Sequence, residues 1–173
     1  MTSERLTKEG DILILCEDEV SSSDLVNKCQ TDEGGAISTF MGTTRNNFEG
    51  KTVISLEYEA YEDMALDAIE RICEQIRSQW NVLRIVVAHK LGPCPVGEVS
   101  IFIGVSSVHR FEAIKAVEFC INEFKATVPI WKKEVYGGLH NCIWKQNKEF
   151  VPRVPLGVLG EVSSSPVTSV KHE

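Results

Sequence analysis

Residues 99–124 read VSIFIGVSSVHRFEAIKAVEFCINEF and join the two patterns that decide the fold of this chain. The first part, Val99 to Val105, is a short apolar run that predicts a buried strand. The part that follows repeats apolar side chains at steps of three and four, the spacing of one helical stripe. That stripe consists of Phe111, Ile114, Val117, Ile121 and Phe124. Pro129 then ends the helix and forces an extended exit.

The rest of the chain follows the same two periods. Alternating or apolar runs predict strands at 12–15, 36–41, 53–59, 83–89, 130–135 and 141–144. A short helix is predicted through Lys28, and a long one from Glu62 to Trp80 has its stripe at Leu66, Ile69, Cys73, Ile76 and Trp80. Residues 92–97, GPCPVG, predict a loop without regular structure. This order indicates an α+β domain with two long helices on one face of a mostly antiparallel sheet.

The chain divides into three stretches of different composition. Residues 1–33 form an N-terminal strand–helix segment, and residues 34–150 contain the long helices and most strands. Residues 151–173 are rich in Pro, Ser and Val, with no period and few large side chains, so we expect a disordered tail. One domain with tails is expected for 173 residues.

Composition excludes several classes of function. Hydrophobic residues make up 43% and charged residues 25%, as in ordinary globular domains, and no apolar run approaches the roughly 20 residues of a membrane helix. The polar N-terminus predicts no secretory signal, which favours the cytosol. A net charge of −7 argues against a broad nucleic-acid surface, so any anion site must be local.

Cysteine and histidine spacing gives no reason to expect a metal or another cofactor. The six cysteines lie far apart without a CxxC pair, and the four histidines show neither HxxxH nor HExxH spacing. Several cysteines fall within apolar segments. We therefore expect buried free thiols rather than disulfides or metal ligands.

One candidate for chemistry is the polar segment Ser106 to Arg110. Ser107 is a natural N-cap for the second long helix, which would place His109 and Arg110 in its first turn. Cationic side chains there are repelled by the positive end of the helix dipole. An anion bound by the backbone N–H groups would attract them and make the same position favourable. The alternative is that both side chains are solvated or pair with Glu112.

Two further segments carry candidate charges. Arg45 is the strong cation of the turn-rich loop at residues 42–47, although a single loop arginine is usually solvated. Lys125 and Lys132 flank the turn at Pro129 and can converge, and a buried or paired lysine can act as a base or nucleophile. The alternative is that residues 132–134 form a charged edge that deters strand aggregation.

Three motifs occur in the order and spacing of the MoaE family, the large catalytic subunits of molybdopterin synthase. They are Gly35-Ala36-Ile37 leading to Gly42-Thr43-Thr44-Arg45-Asn46, then Ser106-Ser107-Val108-His109-Arg110, then Lys125 followed by Pro129-Ile130-Trp131-Lys132-Lys133-Glu134. The chain resembles this family over roughly residues 34–144. Its residues 43–51 and 54–61 look most similar to those of animal members. The motif Lys-x-x-x-Pro-x-Trp-Lys-[Lys/Arg]-Glu is the specific one.

The resemblance implies an α/β-hammerhead core with an additional antiparallel sheet. It also implies a homodimer of large subunits within a heterotetramer, with a small ubiquitin-like partner at each end. The partner's C-terminal Gly-Gly thiocarboxylate would supply sulfur to cyclic pyranopterin monophosphate, and two transfers would form the dithiolene of molybdopterin.

The family's functional positions carry over residue by residue. The resemblance implies that Lys125 and Lys132 are catalytic, and that the substrate is bound by Thr43, Thr44, Arg45, His109, Arg110, Lys125, Lys132, Lys133 and Glu134. Which lysine is the base, and whether His109 and Arg110 serve their own subunit or its mate, stays open. So does the role of the tail after Phe150.

Two rival interpretations belong to other classes. The chain could be a non-catalytic adaptor that docks a ubiquitin-like tail in a basic cleft, which needs positive charge but not one amine at one place. It could instead carry sulfur on its own cysteines as persulfides. The second is weaker, because no cysteine lies in a motif with a neighbouring base or cation to activate it.

Overall fold

The computed structural model describes residues 2–136 and the backbone of residues 142–145. Three helices and ten strands lie within these ranges. The helices are α1 (Ser22–Cys29), α2 (Glu62–Gln79) and α3 (Arg110–Thr127). The strands are β1 (Thr2–Leu6), β2 (Ile12–Cys16), β3 (Ala36–Thr43), β4 (Asn47–Phe48), β5 (Lys51–Ala60), β6 (Val82–Lys90), β7 (Gly92–Pro95), β8 (Val99–Ser107), β9 (Ile130–Tyr136) and β10 (Cys142–Lys145).

The strands form two sheets. The first has the order β1-β2-β6-β8-β3, in which β2 and β6 are parallel and the other neighbours antiparallel. The second has the order β10-β9-β5-β4, with β7 also paired to β5, and is antiparallel throughout. The predicted α+β class, a hammerhead core with an additional antiparallel sheet, is confirmed.

The first sheet is covered on both faces, which explains why its central strands are apolar on both sides. Helices α2 and α3 cover the face that presents Leu13, Val87 and Ile103, and these side chains form the larger core cluster. Helix α1 covers the other face, where Val86 and Phe102 belong to a smaller cluster. The expected stripe of α2 is confirmed, since Leu66, Ile69, Cys73 and Ile76 are buried and Trp80 packs against them.

The expected stripe of α3 is partly wrong. Phe111 is 62% exposed and Ile114 53% exposed, whereas the helix buries Ala113, Ala116, Val117, Cys120 and Phe124. The alanines and the cysteine also recur at steps of three and four, and their small side chains let the helix lie close to the sheet. The first turn therefore points its two largest apolar side chains outward.

The expected N-cap of α3 is also wrong. Ser107 is the last residue of β8, fully buried and paired with Ala36, so strand pairing holds it extended. The helix begins at Arg110 with His109 as its N-cap, and the His109 side chain makes no capping bond. The Ser107 hydroxyl instead donates to the His109 carbonyl.

Two edge strands differ from the sequence prediction. Residues 92–97 were expected to be irregular, but Gly92–Pro95 pairs with β5 along one edge. An edge strand tolerates proline because the missing N–H can face away from the neighbouring strand. The polar residues 2–6 also form a strand, because the turn from Thr7 to Gly10 folds them back on β2.

The N-terminal strands and α1 belong to the first sheet and its cover rather than to a separate unit. The expected disordered tail at residues 151–173 lies outside the described residues. Among the helices that the structure describes, none is long and apolar enough to cross a membrane.

Gly35 is required where β3 approaches the start of α3. A Cβ atom added at Gly35 would lie 2.3 Å from the carbonyl oxygen of Val108, a backbone atom that cannot rotate away. We expect Gly35→Ala to lower the free energy of unfolding by about 1–3 kcal/mol, the usual cost of overpacking. Urea unfolding measures this loss.

Gly34→Ala is the matched control for this substitution. Its nearest neighbour would be the Thr31 hydroxyl at 2.9 Å, a side-chain atom that can rotate away, so its loss should be smaller. Equal stabilities for wild type and Gly35→Ala would contradict the close approach.

Candidate active site

Strand β9 divides the third motif between two faces of the second sheet. Side chains alternate along a strand, so Ile130, Lys132 and Glu134 share one face. Ile130 packs against the main core, and Tyr58, the cross-strand partner of Lys132, does so as well. Lys132 and Glu134 therefore lie on the inner face, toward the first sheet and α3.

Glu134 is a buried carboxylate at this inner face, only 2% exposed. The Tyr136 hydroxyl donates a hydrogen bond to its Oε2 atom. Burial raises the pKa of the neighbouring Tyr58 hydroxyl; a hydrogen bond with Ser100 opposes this, and the Glu134 charge adds to the rise. Glu134 is therefore a buried carboxyl group held by a neighbour, two residues from Lys132.

Lys133 lies on the outer face. It stands opposite Glu57 in the pairing of β5 with β9, and its Nζ atom is 3.1 Å from Glu57 Oε2. This part-exposed ion pair resembles the charged sheet surface considered as an alternative for residues 132–134. The interpretation of this segment as a charged edge therefore fits Lys133, whereas Lys132 and Glu134 lie on the inner face.

Lys125 lies at the other side of the same region. It is an exposed residue in the last turn of α3, directly after the buried Phe124. The helix ends with the Val128 N–H donating to the Phe124 carbonyl, and the chain passes Pro129 into β9. A single ring, His89, contacts both Phe124 and Tyr58, so the helix end beside Lys125 meets the strand pair that carries Lys132.

The loop after β3 reaches the same end of the molecule. Thr44 is buried; its hydroxyl donates to Cys94 Sγ at 3.3 Å, and its N–H donates to the Glu98 carbonyl at 3.1 Å. Cys94 pairs with Leu56 on β5, which ties this loop to the second sheet. Thr43 and Arg45, on either side of Thr44, are exposed. The loop is thus anchored at its centre and presents a cation to solvent.

His109 and Arg110 lie at the opposite end. They line an open depression of about 370 Å³ together with Phe111, Ile114 and Lys115. Along α3, the 15 residue steps from Arg110 to Lys125 correspond to roughly 22 Å of helix. One chain therefore brings Thr43–Arg45, Lys125 and Lys132–Glu134 together, but it does not bring His109 and Arg110 to them.

Several side chains at this site lie outside any motif that marks them as functional. Tyr58 and His89 form part of its floor, and Ser100 donates to the Gly42 carbonyl at 3.1 Å, just before the Thr43–Arg45 loop. The alternation of residues 53–59 indicates only that Tyr58 lies on an apolar face, and the apolar run before His89 indicates only burial.

The described cysteines are poor candidates for sulfur carriers. Cys16, Cys29, Cys73, Cys94 and Cys120 are buried free thiols, as predicted, and Cys142 lies outside the described side chains. Burial raises the pKa of each, to about 11 for Cys29 and about 12 for Cys120. A thiol of raised pKa forms little nucleophilic thiolate. Among the described residues no group of three or more His, Cys, Asp or Glu could hold a metal ion.

The chain combines a hammerhead-like sheet with a second antiparallel sheet, and its sequence fits a family model described as MoaE protein. That model matches residues 15–127 of this chain. The chain belongs to the MoaE family.

Curated relatives are named molybdopterin synthase catalytic subunit and include animal proteins. The Homo sapiens relative is 53% identical over 142 residues, covering 82% of this chain and 74% of that protein. The Taeniopygia guttata relative is 47% identical over 147 residues, covering 84% and 94%. The Arabidopsis thaliana relative is 55% identical over 121 residues, 70% of this chain. The chain spans 60% of the Arabidopsis protein and 35% of the Drosophila melanogaster relative.

Solved structures show the same fold. Molybdopterin synthase from Staphylococcus aureus superposes with a TM-score of 0.72 at 30% identity, covering 76% of this chain and 94% of that one. A complex of subunits 1 and 2 of molybdopterin-converting factor from Helicobacter pylori gives 0.68 at 21% identity, covering 86% and 99%.

The bond from Tyr136 to Glu134 yields a stability prediction. Tyr136→Phe removes one donor from a buried carboxylate, and hydrogen bonds to charged groups contribute about 1.5–3 kcal/mol. We expect a loss of that size in the free energy of urea unfolding. Tyr61→Phe removes a hydroxyl from an exposed tyrosine and should change nothing; a similar loss in both variants would argue against a special role for the buried bond.

Proposed function

We propose that this chain is the catalytic subunit of a molybdopterin synthase. It transfers two sulfurs from the C-terminal thiocarboxylate of a small ubiquitin-like partner to cyclic pyranopterin monophosphate, forming the molybdopterin dithiolene. The observation that carries the proposal is the meeting of the helix end bearing Lys125 with the strand pair bearing Lys132, beside the anchored Arg45 loop. The names of the curated relatives support it.

In this proposal the side chains divide the work. Arg45, with Thr43 and Thr44, binds the anionic substrate, since an arginine fork suits phosphate. Lys125 and Lys132 transfer protons as sulfur is added and oxygen is eliminated. Glu134 sets the polar environment at the inner face, while Lys133 is paired with Glu57 on the outer face and supports the strand pair beside the site.

The sulfur donor is a separate protein in this proposal. The described thiols are buried and their pKa values are raised, which disfavours persulfide chemistry on this chain. A structural neighbour from Helicobacter pylori is described as a complex of two subunits. The proposal places the assembly in the cytosol, which the free thiols of the described cysteines favour.

His109 and Arg110 act on the pocket of a second copy of the chain. They stand roughly 22 Å of helix away from Lys125 in their own subunit. Beside them Val108, Phe111 and Ile114 are exposed apolar side chains, the kind of surface that a protein contact buries. A two-fold dimer would place the same patch of each copy against its mate and give two equivalent sites. With a small partner at each, the assembly is a heterotetramer.

The rival function is a non-catalytic adaptor that only docks a ubiquitin-like tail. Both functions need positive charge near Arg45 and Lys132. Only the enzyme needs an amine that releases a proton at one position, so substitutions of Lys125 separate the two.

Lys125→Ala should lose most activity and stay folded, because Lys125 is exposed and contributes little to the core. Proton transfer by a positioned side chain is worth about 10²–10⁴-fold in rate. Lys125→Arg keeps the charge but cannot release a proton near neutral pH, so it should bind partner and precursor without forming dithiolene. Single-turnover product formation with saturating thiocarboxylated partner measures the rate.

Titration of partner binding for each variant is the control. Near-normal turnover by Lys125→Arg would mean that Lys125 serves as fixed charge and that proton transfer passes to Lys132. No dithiolene from the wild-type chain, together with tight partner binding, would favour the adaptor.

Mixing two inactive variants tests the shared site. In a mixed dimer of Arg110→Ala and Lys125→Ala chains, one pocket combines the intact Lys125 of one copy with the intact Arg110 of the other. After random exchange of equal amounts, half the dimers are mixed and each has one restored pocket, so about a quarter of wild-type activity should return in a two-fold dimer.

The control is Arg45→Ala mixed with Lys125→Ala. Both residues belong to the pocket of one chain, so in each mixed dimer one pocket lacks Arg45 and the other lacks Lys125, and activity should not return. A second control is a chain that carries both Arg110→Ala and Lys125→Ala, which restores nothing when mixed with either parent. Failure of the first mixture to regain activity would place Arg110 in its own subunit's pocket.

A further inference from the structure

His89 is an unusual occupant of its position. It lies near the end of β6, only 5% exposed, after the apolar run from Ile85 to Ala88 and before Lys90. Its Nδ1 atom is 2.7 Å from the Lys90 carbonyl oxygen, and because a carbonyl can only accept, Nδ1 carries the proton. Burial lowers the pKa of His89 to about 4. Near neutral pH the ring is therefore uncharged and its tautomer is defined.

The ring lies between two aromatic side chains. It stacks on Phe124 with centroids 5.5 Å apart and planes 6° apart. It meets Tyr58 edge to face, with centroids 4.8 Å apart and planes 80° apart. Phe124 directly precedes Lys125, and Tyr58 is paired with Lys132 across β5 and β9. The His89 ring therefore lies between the residue that precedes Lys125 and the cross-strand partner of Lys132.

A ring fills the space between Phe124 and Tyr58, which a small side chain would leave open. The ring therefore sets the distance between the helix end and the strand pair. The hydrogen bond to the Lys90 carbonyl satisfies the buried Nδ1–H, which would otherwise be costly to bury.

We infer that His89 is a positioning residue for sulfur transfer, whose ring sets the spacing between Lys125 at the end of α3 and Lys132 on β9. The inference rests on the proposed function for its catalytic consequence. The spacing itself is a property of the fold and can be measured without turnover.

Two substitutions separate the ring from its hydrogen bond. His89→Asn keeps a donor near the Lys90 carbonyl but removes the ring, and His89→Phe keeps the ring but removes the donor. Displacing a reacting group by about 1 Å can cost about 10²-fold in rate. We expect His89→Asn to lower the single-turnover rate at least about 10-fold, with KM for the precursor within about twofold, and His89→Phe to retain the rate within about threefold.

Val87→Ala is the control for lost stability. Val87 lies in the same strand and is fully buried in the main core, so its truncation weakens the fold while leaving the rings of Tyr58, His89 and Phe124 present. All variants are compared at a temperature where urea unfolding shows them to be folded. A rate loss in Val87→Ala equal to that in His89→Asn would overturn the inference, as would equal losses in the Asn and Phe variants.

Crosslinking provides the readout that does not depend on activity. A short amine-reactive crosslinker applied to the full chain should join Lys125 to Lys132, with the yield quantified by peptide mass spectrometry. We expect a clearly lower yield in His89→Asn than in wild type or His89→Phe. An unchanged yield would overturn the positioning role, whereas a changed yield without any dithiolene from wild type would instead count against the proposed function.

Discussion

The matched lengths of β8 and α3 are the constraint on which the rest of the site depends. Nine residues of strand extend roughly 30 Å and eighteen residues of helix roughly 27 Å, so the helix returns along almost the whole strand. The motif at the turn between them, which ends in His109 and Arg110, is therefore carried to one end of the domain. Lys125 returns to the other end, where β8 begins opposite Thr43.

The junction between the two sheets is the second organising feature. Its inner face combines a half-buried lysine, a buried carboxylate and two aromatic rings, and it is closed by the Thr44 loop through the contact with Cys94. A chain of net charge −7 can still present a local cationic site there, because Arg45 and Lys125 are exposed on adjoining elements. Overall charge and local field are separate properties of a protein.

The sequence predicted the helices and strands with a regular apolar period well. It predicted the buried face at the start of α3 and the two edge strands less well. The stripe of α2 was right because leucine and isoleucine side chains are prominent on its buried face. That of α3 was wrong at Phe111 and Ile114, because the helix rests on alanines and a cysteine that periodicity weighs lightly. The edge strands Thr2–Leu6 and Gly92–Pro95 were not predicted, because pairing with a neighbouring strand stabilises them and their own composition does not favour a strand.

The sequence by itself determined the order and type of the main elements, the buried state of the described cysteines, and the family through its lysine and arginine motifs. Tertiary structure alone decided which motifs meet. Separation along the chain does not say at which end of a strand a residue lies, and one residue of register exchanges the faces of a sheet, as Lys132 and Lys133 illustrate. Only the packing of α3 against β8, and of β5 against β9, fixes those choices.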